Sequence, residues 1–118
     1  MNQNLRVAKA IYDFSIDGTA AGDITLQQTA TIPAGAIVLR LWTNETTAIA
    51  GSTDIDITLG GGGDVDLITA VDFTGDADVT TRAITAQEIT AAKNVIIHND
   101  GSAISAGVLE IYIEYILG

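Results

Sequence analysis

The sequence has no cysteine, a single proline, a single histidine and only five lysine and arginine side chains. Without cysteine, disulfide frameworks, thiolate metal centres and cysteine nucleophiles are excluded. One histidine leaves a structural zinc site short of its usual ligands. Five basic against fifteen acidic residues give a net charge of -10. That charge repels a phosphate backbone and offers few cations to displace its counterions, so direct nucleic-acid binding is not expected. Long apolar runs are missing too. Ala36 to Leu39 ends at Arg40, far short of the ~20 residues that span a bilayer, so no membrane segment is expected. The opening MNQNLRVAKAIYDFSID has no continuous apolar stretch and no small-residue cleavage pattern before Asp13, so classical secretion is not expected either.

What is present points to a folded all-β chain. Its 118 residues are 47% hydrophobic with a mean hydropathy of +0.35, enough apolar material for one core and one domain spanning 1–118. Isoleucine, valine and threonine make up roughly a third of the residues, the β-branched excess that strands favour. Twelve glycines and many Asx residues punctuate the chain as turns between short strands would.

Val7 to Ile16 alternates, with Ala8, Ala10, Tyr12, Phe14 and Ile16 on one face, and predicts a half-buried strand. Asp17-Gly18 ends it. Asp23 to Ile32 sets Ile24, Leu26, Gln28 and Ala30 against a polar threonine and glutamine face, a second strand. Ile32-Pro33-Ala34-Gly35 predicts a corner, because proline lacks a donor and glycine admits positive φ. Ala36 to Thr47 starts too apolar to be exposed on either face and is expected to cross the middle of a sheet. Ile55, Ile57 and Leu59 alternate with Asp54, Asp56 and Thr58. Val65 and Leu67 repeat the pattern against Asp64 and Asp66. A tight turn on Gly61-Gly62 would set Ile57 opposite Asp66 and mix the faces, so a looser connection through Gly60 to Gly63 is favoured. Asp72 to Arg82 lacks a sustained period and reads as a long loop with a short strand near Val71 to Thr74. In Ala83 to Ala92, Thr85 followed by Glu88 fits a capping box, which makes a helical turn one option. Lys93 to His98, the turn Asn99 to Ser102, and Gly107 to Leu117 complete the pattern. About eight strands with irregular loops predict a two-sheet sandwich of jelly-roll or related Greek-key topology.

Candidate chemistry is sparse. His98, Asp100 and Ser102 are the residue types of a hydrolytic triad, but adjacent turn residues diverge, so a strand-end role is expected for His98. Asp54, Asp56, Asp64 and Asp66 could line one face, and calcium takes several carboxylate oxygens. The competing reading is a solvated acidic face whose charges deter edge-to-edge aggregation. GGGGDVDLI does not fit the calcium-binding nonapeptide repeat in any register. A glycosidase pair of carboxylates lacks aromatic stacking for sugars. Gly60 to Gly63 lacks the lysine and helix of a phosphate loop. No catalytic, cofactor-binding or metal residue is therefore assigned, and no enzymatic activity is expected. Among the aromatics, Tyr12, Tyr112 and Tyr115 fill a core or anchor a partner. Trp42, in phase with Arg40 rather than with Leu39 and Leu41, is expected at an interface.

Three passages carry a family resemblance: KAIYDFSIDGTAAGDITL, TIPAGAIVLRLW and TAAKNVIIHNDGSAISAGVLEIYIEYILG. Together they resemble small β-sandwich structural proteins of tailed-bacteriophage virions. The matching residues are Tyr12, Asp13 and Phe14 in the first strand, the corner Ile32 to Ala36, and the turn Gly60 to Gly63. The step Ser105-Ala106-Gly107 and the closing Glu114-Tyr115 complete them. The resemblance implies a capsid decoration, cementing or head-fibre protein, homotrimeric, located in the virion and bound to the major capsid protein lattice. The alternative from the residues alone is a small carbohydrate- or receptor-binding sandwich, calcium-assisted through the aspartates.

Overall fold

A computed structural model of the chain describes residues 5–19, 21–60, 65–73, 79–82, 84 and 86–117. Ten strands and one helical turn run in the order β1 (Leu5–Asp13), α1 (Phe14–Asp17), β2 (Gly22–Thr25), β3 (Thr31–Ile32), β4 (Ala36–Ala50), β5 (Ile55–Gly60), β6 (Val65–Val71), β7 (Val79–Arg82), β8 (Gln87–Glu88), β9 (Lys93–Asn99) and β10 (Ala106–Leu117). They form two sheets of five strands. The first has the order β1-β10-β4-β7, with β8 also on β4, and the second β2-β9-β5-β6, with β3 also on β9. Every pairing is antiparallel. The chain changes sheet at most connections, a Greek-key order. The inner faces meet in one core that includes Tyr12, Leu41, Ile57, Ile97 and Ile111.

An antiparallel sheet with one wet face needs alternation along each strand. β10 supplies it, with Gly107, Leu109, Ile111, Ile113 and Tyr115 buried and the residues between them half-buried. The register of β4 against β10 shifts at three points, one of them at Leu39. Tyr115 faces Val38 but Glu114 faces Arg40, so Leu39 is an extra residue, a bulge. The slip lets both Val38 and Leu41 point into the core and turns Arg40, Trp42 and Asn44 outward. The expected central strand is thus present and longer than the pattern indicated. The expected corner is present too: Gly35 has φ +86, and its N–H donates to the Ile89 carbonyl at 2.7 Å. Leu59 faces Val65 and Thr58 faces Asp66, so the β5–β6 link is the looser one. Residues 61–64, which hold most of that glycine turn and Asp64, lie outside the described residues.

Four expectations are corrected. The first strand ends at Asp13, because the Asp13 carboxylate accepts from the Ser15 N–H at 2.9 Å and from its hydroxyl at 2.7 Å, capping the turn Phe14–Asp17. Asp23 to Ile32 is not one strand. β2 and β3 both pair with β9, and between them Gln28 leaves the second sheet to bridge Ile11 of β1. Asp72 to Arg82 is not wholly loop, since Val79–Arg82 pairs with β4 from Asn44 back to Leu41. Gln87–Glu88 form a strand against Ile37 and Val38 rather than a helical turn, and Thr85 lies outside the described residues. In each case a long-range backbone pairing or a local cap overrides the local pattern.

Tyr12 is fully buried and donates its hydroxyl to the Gly18 carbonyl at 2.7 Å, tying β1 to the turn that follows it. Burial first, and the neighbouring Asp17 and Asp13 carboxylates second, push its phenol up to about 12.

Candidate functional site

The outer face of the second sheet carries one row of polar side chains. Asp23 on β2 stands opposite His98 on β9, which stands opposite Asp56 on β5. One strand further, Asp66 on β6 accepts from the Thr58 hydroxyl at 3.0 Å. Asp100, just past the end of β9, folds back over the row. Together these six residues line one recess. The alternation of β5 explains two of the six, placing Asp56 and Thr58 on the face opposite Ile55, Ile57 and Leu59. Asp56 and Thr58 are buried while Asp23, Asp66 and Asp100 are exposed, so the face is in part the solvated acidic one that the sequence allows.

His98 is the centre of the row. Its Nδ1 lies 2.5 Å from Asp23 Oδ1 and its Nε2 2.7 Å from Asp100 Oδ1. A neutral imidazole carries one N–H, so only the protonated ring donates to both carboxylates. The hydrogen bond that the ring donates to Asp23, with the one it donates to Asp100, accordingly raises the pKa of His98 above its ordinary 6.5. Because the folded value lies above the unfolded one, this contribution to stability is complete below pH 6.5 and is lost as pH rises through the folded value. We expect the ring of His98, the only histidine in the chain, to titrate in an NMR experiment above 6.5, and Asp23→Asn to lower its midpoint. A midpoint at or below 6.5 in the unaltered chain contradicts the two-carboxylate clasp.

The structure sorts the sequence candidates. His98 and Asp100 come together, against the expectation that turn residues diverge, because Asp100 curls back along its own strand. Ser102 does not join them: among the described contacts, its carbonyl accepts from Asn99 Nδ2 at 2.9 Å, and none links its hydroxyl to the imidazole. With both ring nitrogens held by carboxylates, His98 has no nitrogen free to activate a serine. Of the four aspartates considered for calcium, Asp56 and Asp66 line the recess. Asp54 instead presents its carbonyl to the Asp100 N–H at 3.0 Å, and Asp64 is outside the described residues. Among the described residues, Asp56, His98 and Asp100 could hold a metal ion, with ligand atoms all within 4.8 Å of one another. A metal on His98 would first have to displace a proton from the ring. Asp23 was missed in the sequence. It opens a strand after Gly22 with no local mark, and only the pairing of β2 with β9 brings it to His98.

The outer face of the first sheet differs in character. Trp42 on β4 stacks on Tyr112 of β10 with centroids 5.5 Å apart and planes 6° from parallel, and Lys9 of β1 lies over the tyrosine ring. Lys9 also pairs with Glu110 at 3.1 Å, and Arg40 with Glu114 at 2.8 Å. A hydrogen bond from Asn44 and the contact with Lys9 hold the Glu110 carboxyl below the usual range. Trp42 thus stands on an outer face, as its phase indicated, whereas Tyr12 and Tyr115 belong to the core.

The chain is therefore a two-sheet antiparallel β-sandwich with an acidic, histidine-centred recess on one outer face and an aromatic stripe on the other. Among the described residues no helix is long and apolar enough to cross a membrane. The fold is similar to that of a chain in a structure titled "Acidic stable capsid structure of Helicobacter pylori bacteriophage KHP30". The TM-score is 0.63 and the sequence identity 18%, over 99% of this chain and 90% of that one. No protein-family model and no curated protein matches the chain.

Proposed function

We propose that this chain is a non-enzymatic structural protein of a bacteriophage particle. In this reading residues 1–118 form a single domain that binds the major capsid protein lattice as a homotrimer and decorates or cements the capsid surface. The observation that carries the reading is the similarity of fold, over nearly the full length of both chains, to a chain of a phage capsid structure. The strand orders β1-β10-β4-β7 and β2-β9-β5-β6 further support a jelly roll, the double Greek key of many capsid domains. The protein is made in the cytoplasm of the bacterial host and resides in the virion. A lattice-binding protein needs a stable sandwich and complementary surfaces, not an active site. The acidic recess around Asp23, Asp56, Asp66 and Asp100 suits a basic patch on the capsid shell, and the charge of -10 keeps the protein off packaged nucleic acid. The test is the composition of purified particles produced from the genome that encodes the chain. Mass spectrometry is expected to find it in a fixed ratio to the major capsid protein. Its absence from washed particles overturns the proposal.

A further inference from the structure

Resting on the structural reading above, we propose that copies of this chain meet through the outer face of the first sheet. In a sandwich that stands alone, such a face is polar. Here one end of it is apolar, with Leu5 opposite Ile116 and Ile116 opposite Ile37. Leu5, Val7 and the bulge residue Leu39 are 54%, 52% and 36% exposed. Beyond the row of Val7, Glu114 and Arg40 the same face carries the Trp42–Tyr112 stack, and aromatic and aliphatic side chains are what the cores of protein interfaces enrich.

Charge selects the occupant. A chain of net charge -10 repels its own copies unless they approach through a neutral surface. The middle of this face is neutral, since Lys9 is matched by Glu110 and Arg40 by Glu114. Asp13 and Glu88 stand only at its margins. The outer face of the second sheet, by contrast, gathers four aspartates around one imidazole. Sheets pack ~10 Å apart, so copies meeting through their first sheets keep these acidic faces on the outside of the trimer, each beyond the screening length of roughly 8 Å from the contact. The same arrangement leaves the acidic recess outward, free for a basic capsid surface. The two contacts then differ in salt response, the capsid contact weakening with ionic strength and the apolar self-contact persisting.

Light scattering behind size exclusion tests this on the full chain at low and high salt. Three times 12.2 kDa is expected at both, with Val7→Glu and Leu39→Glu each running as monomers where the unaltered chain is assembled. Thr25→Glu, on the outer face of the second sheet, should leave the mass unchanged. Both glutamates replace exposed side chains, and far-UV circular dichroism checks that the fold is kept. A measurement without substitution accompanies it: Trp42, the only tryptophan, should shift its emission to the red as the unaltered protein is diluted through the change in mass. A monomeric chain, variants that keep the assembled mass, or emission unmoved by dissociation each overturn the inference. Capsid co-sedimentation of the same variants keeps the two readings apart. A monomer that still pellets with capsids refutes the self-contact alone, and an oligomer that never pellets refutes the capsid reading alone.

Discussion

Gly107→Val is expected to cost roughly 2–6 kcal/mol, combining about 1–3 kcal/mol of backbone strain with about 1–3 kcal/mol of overpacking. Gly107 opens the closing strand at φ +134, a conformation that side chains avoid. A Cβ there would also fall on Ile49 Cδ1 and come within 2.8 Å of the Ile49 Cα. The backbone of β10 passes so close to β4 that only a hydrogen fits between them. Since a domain is stable by only about 5–15 kcal/mol, the variant should lose a large share of its stability. Gly18→Ala is the internal contrast. Gly18 has φ +91 and ψ -176 but nothing within 4 Å of the added carbon, so only the strain, about 1–3 kcal/mol, is expected. Urea midpoints of the two variants decide the matter, and equal midpoints contradict the close approach at Ile49.

Phe73→Ala should cost about 3–5 kcal/mol, the range for an aromatic removed from a close-packed core. Phe73 follows β6 without belonging to a strand, yet its side chain is fully buried within the hydrophobic cluster. A urea denaturation midpoint that moves by the equivalent of less than about 1 kcal/mol would place Phe73 outside the core and contradict the packing.

The alternating strands were the legible part of this molecule. β10 read directly from period-two hydrophobicity, because it has one face in the core and one turned outward, and β9 read as an apolar run, Lys93 to His98, before the turn Asn99 to Ser102. The β5–β6 link followed from the need to keep Ile57 off Asp66. Apart from the local cap that ends β1 at Asp13, what stayed hidden is pairing between distant segments. Val79–Arg82 and Gln87–Glu88 have no hydrophobic period and become strands only because β4 is long enough to carry both on one edge. The bulge at Leu39 is a slip against Glu114 and Tyr115 that no local pattern marks. The site divides in the same way. Asp56, Asp66, His98 and Asp100 stood out as residue types, but the clasp needs Asp23. The sequence distance from Asp23 to His98 is closed only by the β2–β9 ladder.

The most direct test of a capsid-bound role is to add the purified protein to capsids from particles that lack it and to sediment the mixture. The account predicts saturable binding in a fixed ratio to the major capsid protein, weakening as ionic strength rises because the acidic face makes the contact. Protein left in the supernatant at every salt concentration would contradict it.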